Sequence, residues 1–351
     1  MISQFEPLKR FKDAWAVFKT IRKGNLGTGP ECLLLEEEIK KLTDTKYCFA
    51  TTSGTTALIM AIEALNLPKG STIIFPAYTF LAGANAARFM GYKVQLVDIN
   101  PYTLCIDTNK LKFNKNISCV IFVNHNAYRG DDINTVKQFC DKHSIPMIED
   151  SCQSIGMPLA GKTGNVGVFS FSVPKLITGG QGGAVVTDDG NVAKRLGQIR
   201  DQGDNWRKDR LHKYVGVNFK YNNIQASYVL SQLRDIKVLL KKRWEVFYNY
   251  HKNGIRPYRF APYDTNRESL WMVTYRSKRA DQIIEKLKEN NISGVKYYKP
   301  ICYNSPYKTK RKFPISEQIS NELIYLPSSL NLSKRNIRKI CKIIISVENE
   351  K

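Results

Sequence analysis

The 351-residue chain has only four histidines, and its eight cysteines are scattered. Cys32, Cys48, Cys105, Cys119, Cys140, Cys152, Cys302 and Cys341 form no C-x-x-C pair and have no histidine cluster beside them. That spacing supports neither a zinc site nor a disulfide framework, so reduced thiols and no metal are expected. No run approaches about 18 uninterrupted apolar residues, and the N-terminal MISQFEPLKRFKDAW lacks an apolar core of the signal-peptide kind. A cytoplasmic protein that meets no membrane is therefore predicted. There is no internal repeat, no low-complexity tract and no readable zinc finger or aromatic RNA-binding motif, so nucleic acid is not expected as a partner despite the charge.

Acidic residues are also in short supply, 31 Asp+Glu against 54 Lys+Arg, for a net charge of +23. Most of the excess lies late in the chain: residues 201–351 hold 31 basic and 14 acidic side chains. A basic half of this kind is the electrostatic footprint of a nucleic-acid binder, and equally of an enzyme that collects phosphorylated or carboxylate substrates.

What is present is alternation. TIIFP (72–76), KVQLVDI (93–99), SCVIFVN (118–124), IPMIED (145–150), VGVFSFS (166–172) and GGAVVT (182–187) read as strands. TTALIMAIEAL (55–65), FLAGANAARFMG (80–91) and INTVKQFCDKH (133–143) carry apolar residues at helical spacing between them. The pattern predicts an α/β fold, a mainly parallel sheet with helices on both faces, and ligands beyond the carboxyl ends of its strands. One long helical stretch from about Asn222 to Tyr250 is expected next. GIRPYRFAPYDT then interrupts, and a smaller α+β unit follows, giving a large domain over 1–250 and a small one over 251–351.

Three stretches carry chemistry. TTSGTTAL puts Ser53, Gly54 and Thr55 at a helix start, where free N–H groups and the helix dipole favour an anion, although an ordinary N-cap has the same composition. IPMIED ends a strand on Glu149 and Asp150, and because side chains alternate along a strand only one can face a ligand. FSFSVPKLITGGQGGAVVT sets Lys175 after Pro174 and before Gly179, Gly180, Gly182 and Gly183, glycines that allow close backbone approach. An amine so placed can form a Schiff base with an aldehyde cofactor, an aspartate can keep the cofactor's ring nitrogen protonated, and a helix N-terminus can seat its phosphate. Phosphate seat, acid and amine follow in the chain order of fold-type I pyridoxal phosphate enzymes.

With GNLGTGPECLLLEEEI, SGTTALIMAIEAL, FPAYTFLAGANAARFMGYKVQLVDI, IEDSCQSIG and GVNFKYNNIQASYVLSQL added, the chain resembles the DegT-type sugar aminotransferases over nearly its whole length. The resemblance implies a seven-stranded sheet and a pyridoxal 5'-phosphate cofactor that passes through its pyridoxamine form. It also implies glutamate as amino donor with 2-oxoglutarate released, a nucleotide-linked keto sugar as acceptor, and a homodimer with shared sites. It makes Lys175 the cofactor lysine and catalytic base and Asp150 the partner of the ring nitrogen. Gln153 and Phe80 would lie against the ring, and Gly54, Thr55 and Ser170 would hold the phosphate. Asn218 would reach it from the partner subunit. Lys220 and Tyr297 are candidate substrate contacts. The chain departs from the family in the turn NHNAYRG (124–130), in Lys220, and in Tyr297 to Cys302, where both usual histidine positions are changed. KLITGGQGG resembles members acting at C-4 of a 4-keto-6-deoxy sugar, with 3-aminotransferases and cyclitol aminotransferases as alternatives. On this reading the glycines after Lys175 give clearance for a bulky substrate, and the Thr178 hydroxyl shapes how the sugar ring sits.

Overall fold

A computed structural model of the chain describes residues 1–127, 132–203, 211–258 and 270–350. Residues 128–130 of the NHNAYRG turn and 259–265 of GIRPYRFAPYDT lie outside the described residues.

Seven strands form one sheet: β1 (Tyr47–Thr51), β2 (Thr72–Pro76), β3 (Lys93–Val97), β4 (Ile117–Val123), β5 (Met147–Asp150), β6 (Val166–Ser170) and β7 (Gly183–Thr187). Their spatial order is β1-β7-β6-β5-β4-β2-β3. Pairing is parallel from β6 across to β3, and β7 runs antiparallel to both its neighbours. The six expected strands are present with ends within two residues. The seventh strand, β1, lies at the sheet edge, begins on an exposed Tyr47 and has no counterpart among those six.

β4 shows why these segments are strands. All seven of its residues are buried, and from Cys119 to Val123 they divide by parity. Val120 and Phe122 pack with Val136 and Cys140 of the helix Asp132–Lys142. Ile121 and Val123 pack on the opposite face, in the core that holds Ala57, Leu58 and Ala61 of the helix Gly54–Ala64 and Ala84 and Ala87 of Ala82–Phe89. A strand covered on both sides has no polar face to show, hence its continuous apolar run. Each such side chain stabilises the fold by about 1.5–3 kcal/mol through removal from water.

The stretch from Asn222 to Tyr250 is two helices, Asn223–Leu233 and Ile236–Lys252, not one. At the junction the Asp235 carboxylate accepts from Arg10 Nη1 at 2.6 Å and pairs with Lys12. A tertiary ion cluster with the N-terminal segment accompanies the break, which neither Gly nor Pro marks in the sequence. The second helix starts among the core residues under the sheet, Ile236 and Leu239, and ends with Val246, Phe247 and Tyr250 in another core. That second core belongs to a smaller α+β unit: an antiparallel pair, β8 (Thr274–Arg276) and β9 (Leu323–Tyr325), with helices Ala280–Glu289, Pro314–Glu322 and Lys334–Asn349. Ile2 bridges to Ile292, so the chain's N-terminus also reaches this unit. No described helix is long and apolar enough to cross a membrane.

Candidate active site

β5 is the middle strand of the seven, and its carboxyl end carries the acidic pair. Both carboxylates are buried, but they have opposite surroundings. Glu149 accepts from Asn124 Nδ2 (2.7 Å), Ser151 Oγ (3.0 Å) and the N–H groups of Gly161 (2.8 Å), Thr163 (2.9 Å) and Gly164 (3.3 Å). Those donors use its lone pairs to pin the 161–164 loop. Asp150 accepts from the Cys152 N–H at 3.0 Å and otherwise lines a cavity of about 300 Å³. Burial raises its pKa, opposed by Cys152 and by the charge of Lys175. A dry carboxylate with so little compensation suits a cationic ligand.

Ser53, Gly54 and Thr55 form the cavity's anion end. Ser53 caps the helix Gly54–Ala64: its Oγ accepts from Thr56 N at 3.0 Å, and Thr56 Oγ1 accepts from Ser53 N at 2.9 Å. The N–H groups of Gly54 and Thr55 belong to the first turn and have no intrahelical acceptor. A side chain at Gly54 would put its Cβ 2.9 Å from Ser170 Cβ, and one at Gly183 would meet Ser53 O at 2.5 Å. Glycine at both positions lets the helix start pack directly against the ends of β6 and β7, which brings the Ser170 hydroxyl alongside the free N–H groups in the cavity lining.

Lys175 follows β6 in a loop that folds back on itself, with Phe171 N donating to Gly182 O (2.8 Å) and Gly179 N to Phe171 O (2.9 Å). Burial lowers its pKa, against the charges of Cys152 and Asp150, which raise it. Its Nζ lies 4.3 Å from the ring centroid of Trp271. Gln153 also lines the cavity, its Oε1 accepting from Asn126 N at 2.5 Å. Phe80, 61 % exposed, precedes the helix Ala82–Phe89 and so stands in the turn after β2 at the cavity's mouth.

A second cavity, about 450 Å³, shares Thr79, Phe80, Ser172 and Lys175 with the first. Its other walls are Leu81, Pro174, Trp271, Tyr297, Tyr298, Lys299 and Asn304. Tyr297, a candidate substrate contact in the sequence, is one of these walls. Trp271, Tyr298 and Asn304 were not foreseen: they stand far from Lys175 in sequence, and nothing local distinguishes a pocket aromatic from a core one. A larger cavity of about 810 Å³, by β3 with Lys110, Lys112, Arg311 and Lys312, contains none of the expected site residues.

Two expectations change. The glycines after Lys175 serve the chain itself: a Cβ at Gly179 or Gly182 would lie 2.2 or 2.5 Å from the Tyr221 hydroxyl, and Gly180 has φ +75 with open space around it. Thr178 is buried, its Oγ1 donating to Phe171 O (3.1 Å) and accepting from Gly180 N (3.0 Å), and it lines neither cavity. Lys220 pairs with Asp201 and, like the exposed Asn218 beside it, lines neither cavity of its own chain.

A lysine, an under-compensated carboxylate and an open helix N-terminus around one cavity fit pyridoxal 5'-phosphate in its three functional parts, aldehyde, ring nitrogen and phosphate, and define an enzyme of the pyridoxal phosphate class. The chain belongs to the DegT/DnrJ/EryC1/StrS aminotransferase family, whose model matches residues 9–345. The family's enzymes use this cofactor. Among its relatives is the dTDP-3-amino-3,6-dideoxy-alpha-D-galactopyranose transaminase of Aneurinibacillus thermoaerophilus, 28% identical, with 94% of this chain and 93% of that protein covered. Another is the UDP-4-amino-4-deoxy-L-arabinose–oxoglutarate aminotransferase of Shewanella sediminis, 26% identical, with 98% and 94% covered. The aminotransferase TlmJ of Streptoalloteichus hindustanus has the same fold, with TM-score 0.93, 22% identity and all of both chains covered.

Proposed function

We propose that the enzyme moves an amino group from glutamate to C-4 of a nucleotide-linked 4-keto-6-deoxy sugar, giving a nucleotide 4-amino-4,6-dideoxy sugar and 2-oxoglutarate. The observation that carries the sugar reading is the joined pair of cavities. The inner one is of cofactor size and gathers Asp150, Gln153, Ser170 and the Ser53–Thr55 helix start, and the outer one has aromatic walls, Lys299 beside the shared Lys175 and, among the described residues, no carboxylate. Aromatic faces suit a nucleoside and sugar, and Lys299, which makes no ion pair among the described residues, suits a diphosphate.

Pyridoxal 5'-phosphate, when bound, supplies an aldehyde for amine exchange and a ring that withdraws electrons from the neighbouring carbon. The chain's own residues do the rest. Lys175 Nζ would be the amine that holds the aldehyde and, when free, the base placed to accept the proton of the amino-bearing carbon. Its depressed pKa raises the share of neutral amine at neutral pH. Asp150 would hold a proton on the ring nitrogen, while the Gly54 and Thr55 N–H groups and the Ser170 hydroxyl would hold the phosphate. Gln153 and Phe80, which line the same cavity, would lie against the ring. Around Asn218 the chain exposes Leu211, Tyr214, Val215 and Val217, an apolar stretch suited to burial in a homodimer that brings Asn218 to the partner's phosphate. Mixing Lys175→Ala with an impaired Asn218 variant restores activity in hybrid dimers on this reading, and no restoration after proven subunit exchange refutes the shared site.

The C-4 assignment is supported by KLITGGQGG and by the 4-amino-4-deoxy-arabinose relative. The 3-amino relative supports the alternative carbon. Incubating the enzyme with glutamate and a panel of nucleotide 4-keto-6-deoxy and 3-keto-6-deoxy sugars, with the product's amine located by NMR, decides between them. An amine at C-3, or turnover only of a free cyclitol ketone, overturns the C-4 reading.

A further inference from the structure

Trp271 meets the Pro174–Lys175 segment in two ways. Its indole Nε1 donates to the carbonyl of Pro174 at 2.6 Å, one residue before the lysine, and its ring face lies under the lysine's amine. Its own carbonyl accepts from Arg243 Nη1 at 2.5 Å. Arg243 is 1 % exposed, and its Nε and Nη2 have no acceptor among the described residues. Burial brings its pKa down to about 9. A cation at that depth with one acceptor holds that acceptor firmly, since losing it leaves the charge wholly uncompensated. Arg243, Trp271, Pro174 and Lys175 thus form one connected run from the helix Ile236–Lys252 to the site.

We propose that Trp271 is a positioning residue for Lys175: its indole fixes the loop at Pro174 and its ring face favours the protonated form of Nζ, with Arg243 holding the Trp271 main chain. The proposal rests on Lys175 being the cofactor lysine. In each half-reaction a C–H bond of the amino-bearing carbon breaks and its proton passes to Nζ, and the same proton can then be delivered onward as the N–H bond breaks. Burial opposes the charged intermediate state of that lysine. An aromatic face opposite the amine compensates it without supplying a carboxylate that would trap the proton. The other groups facing this amine are Asp150 and Cys152 at the end of β5, and Tyr297, Tyr298 and Lys299 across the outer cavity, all unchanged by a substitution at 271.

The test uses enzyme loaded with pyridoxamine 5'-phosphate, in which Lys175 is a free amine. Its pH-dependent reaction with an amine-selective reagent is followed by mass spectrometry of the Lys175 peptide. Trp271→Leu lowers the labelling midpoint by roughly one pH unit and Trp271→Phe, which keeps a ring face, by less. Arg243→Met lowers it as well, and adds nothing further in a Trp271→Leu background. An unchanged midpoint in folded Trp271→Leu overturns the proposal. Should the leucine variant not fold, the phenylalanine variant decides, since loss of the Pro174 hydrogen bond must still speed labelling at a given pH. Borohydride reduction of the pyridoxal-loaded wild type separates the two readings: no pyridoxyl group on Lys175 refutes the lysine's role, whereas a tagged Lys175 with an unmoved midpoint refutes only Trp271's.

Discussion

The inner and outer halves of the site are built differently. The inner cavity is made by strand ends and one helix start: Ser53 and Gly54 after β1, Asp150 at the end of β5, Ser170 at the end of β6. The outer cavity gathers Phe80, Trp271, Tyr297 and Lys299 from segments about two hundred residues apart and from both the sheet and the smaller unit. The first is fixed by regular structure and backbone, so its chemistry is tied to the fold. The second depends on side chains held by tertiary packing, so it can change acceptor without disturbing the cofactor. Relatives whose names place the amine at C-3 and at C-4 fit that division.

The largest expected effect is at the inner half. Lys175→Ala removes both cofactor attachment and base, so turnover falls by at least about a thousandfold in a coupled assay of 2-oxoglutarate release. Asp150→Asn keeps the shape and loses the charge; cofactor still binds while kcat falls roughly a hundredfold or more. Near-normal turnover in either variant breaks the assignment. Because Lys175 acts as the neutral amine and burial depresses its pKa, the rate rises with pH and levels off below the ordinary lysine value of 10.5. A limb at or above that value contradicts the base role.

The loop between the halves gives a sharper contrast. Gly179→Ala would drive a methyl group into Tyr221 and Val229, so it lowers stability by about 1–3 kcal/mol in denaturant unfolding and leaves the sugar's KM in the folded fraction nearly unchanged. Were the glycines there for substrate clearance, KM would rise while stability held. The smallest effect belongs to the outer rim. Lys299 is exposed, so Lys299→Ala raises KM for the nucleotide sugar by about fivefold at most, less at high salt, with kcat preserved.

The same division explains what was legible in the sequence. Six strands and three helices announce themselves by periodicity, and Ser53, Asp150 and Lys175 stand where those elements end. Glu149 and Asp150 could be told to diverge, but not which was which: that needed the 161–164 loop, whose N–H groups claim Glu149. Trp271 looks like any apolar strand residue until Pro174 is seen beside it, and Lys220 looks available until Asp201 is seen paired with it. The glycine run signals an unusual backbone without saying that Tyr221 is what requires it. Local chemistry reads from local sequence, and contacts between distant segments do not.

The central claim is that one half-buried lysine, Lys175, carries the cofactor at the junction of the two cavities. Borohydride reduction of the resting, pyridoxal-loaded enzyme followed by peptide mass mapping tests it most directly. The account predicts a single pyridoxyl group on the peptide containing Lys175 and none in Lys175→Ala; a reduced link on any other lysine, or one that survives Lys175→Ala, contradicts it.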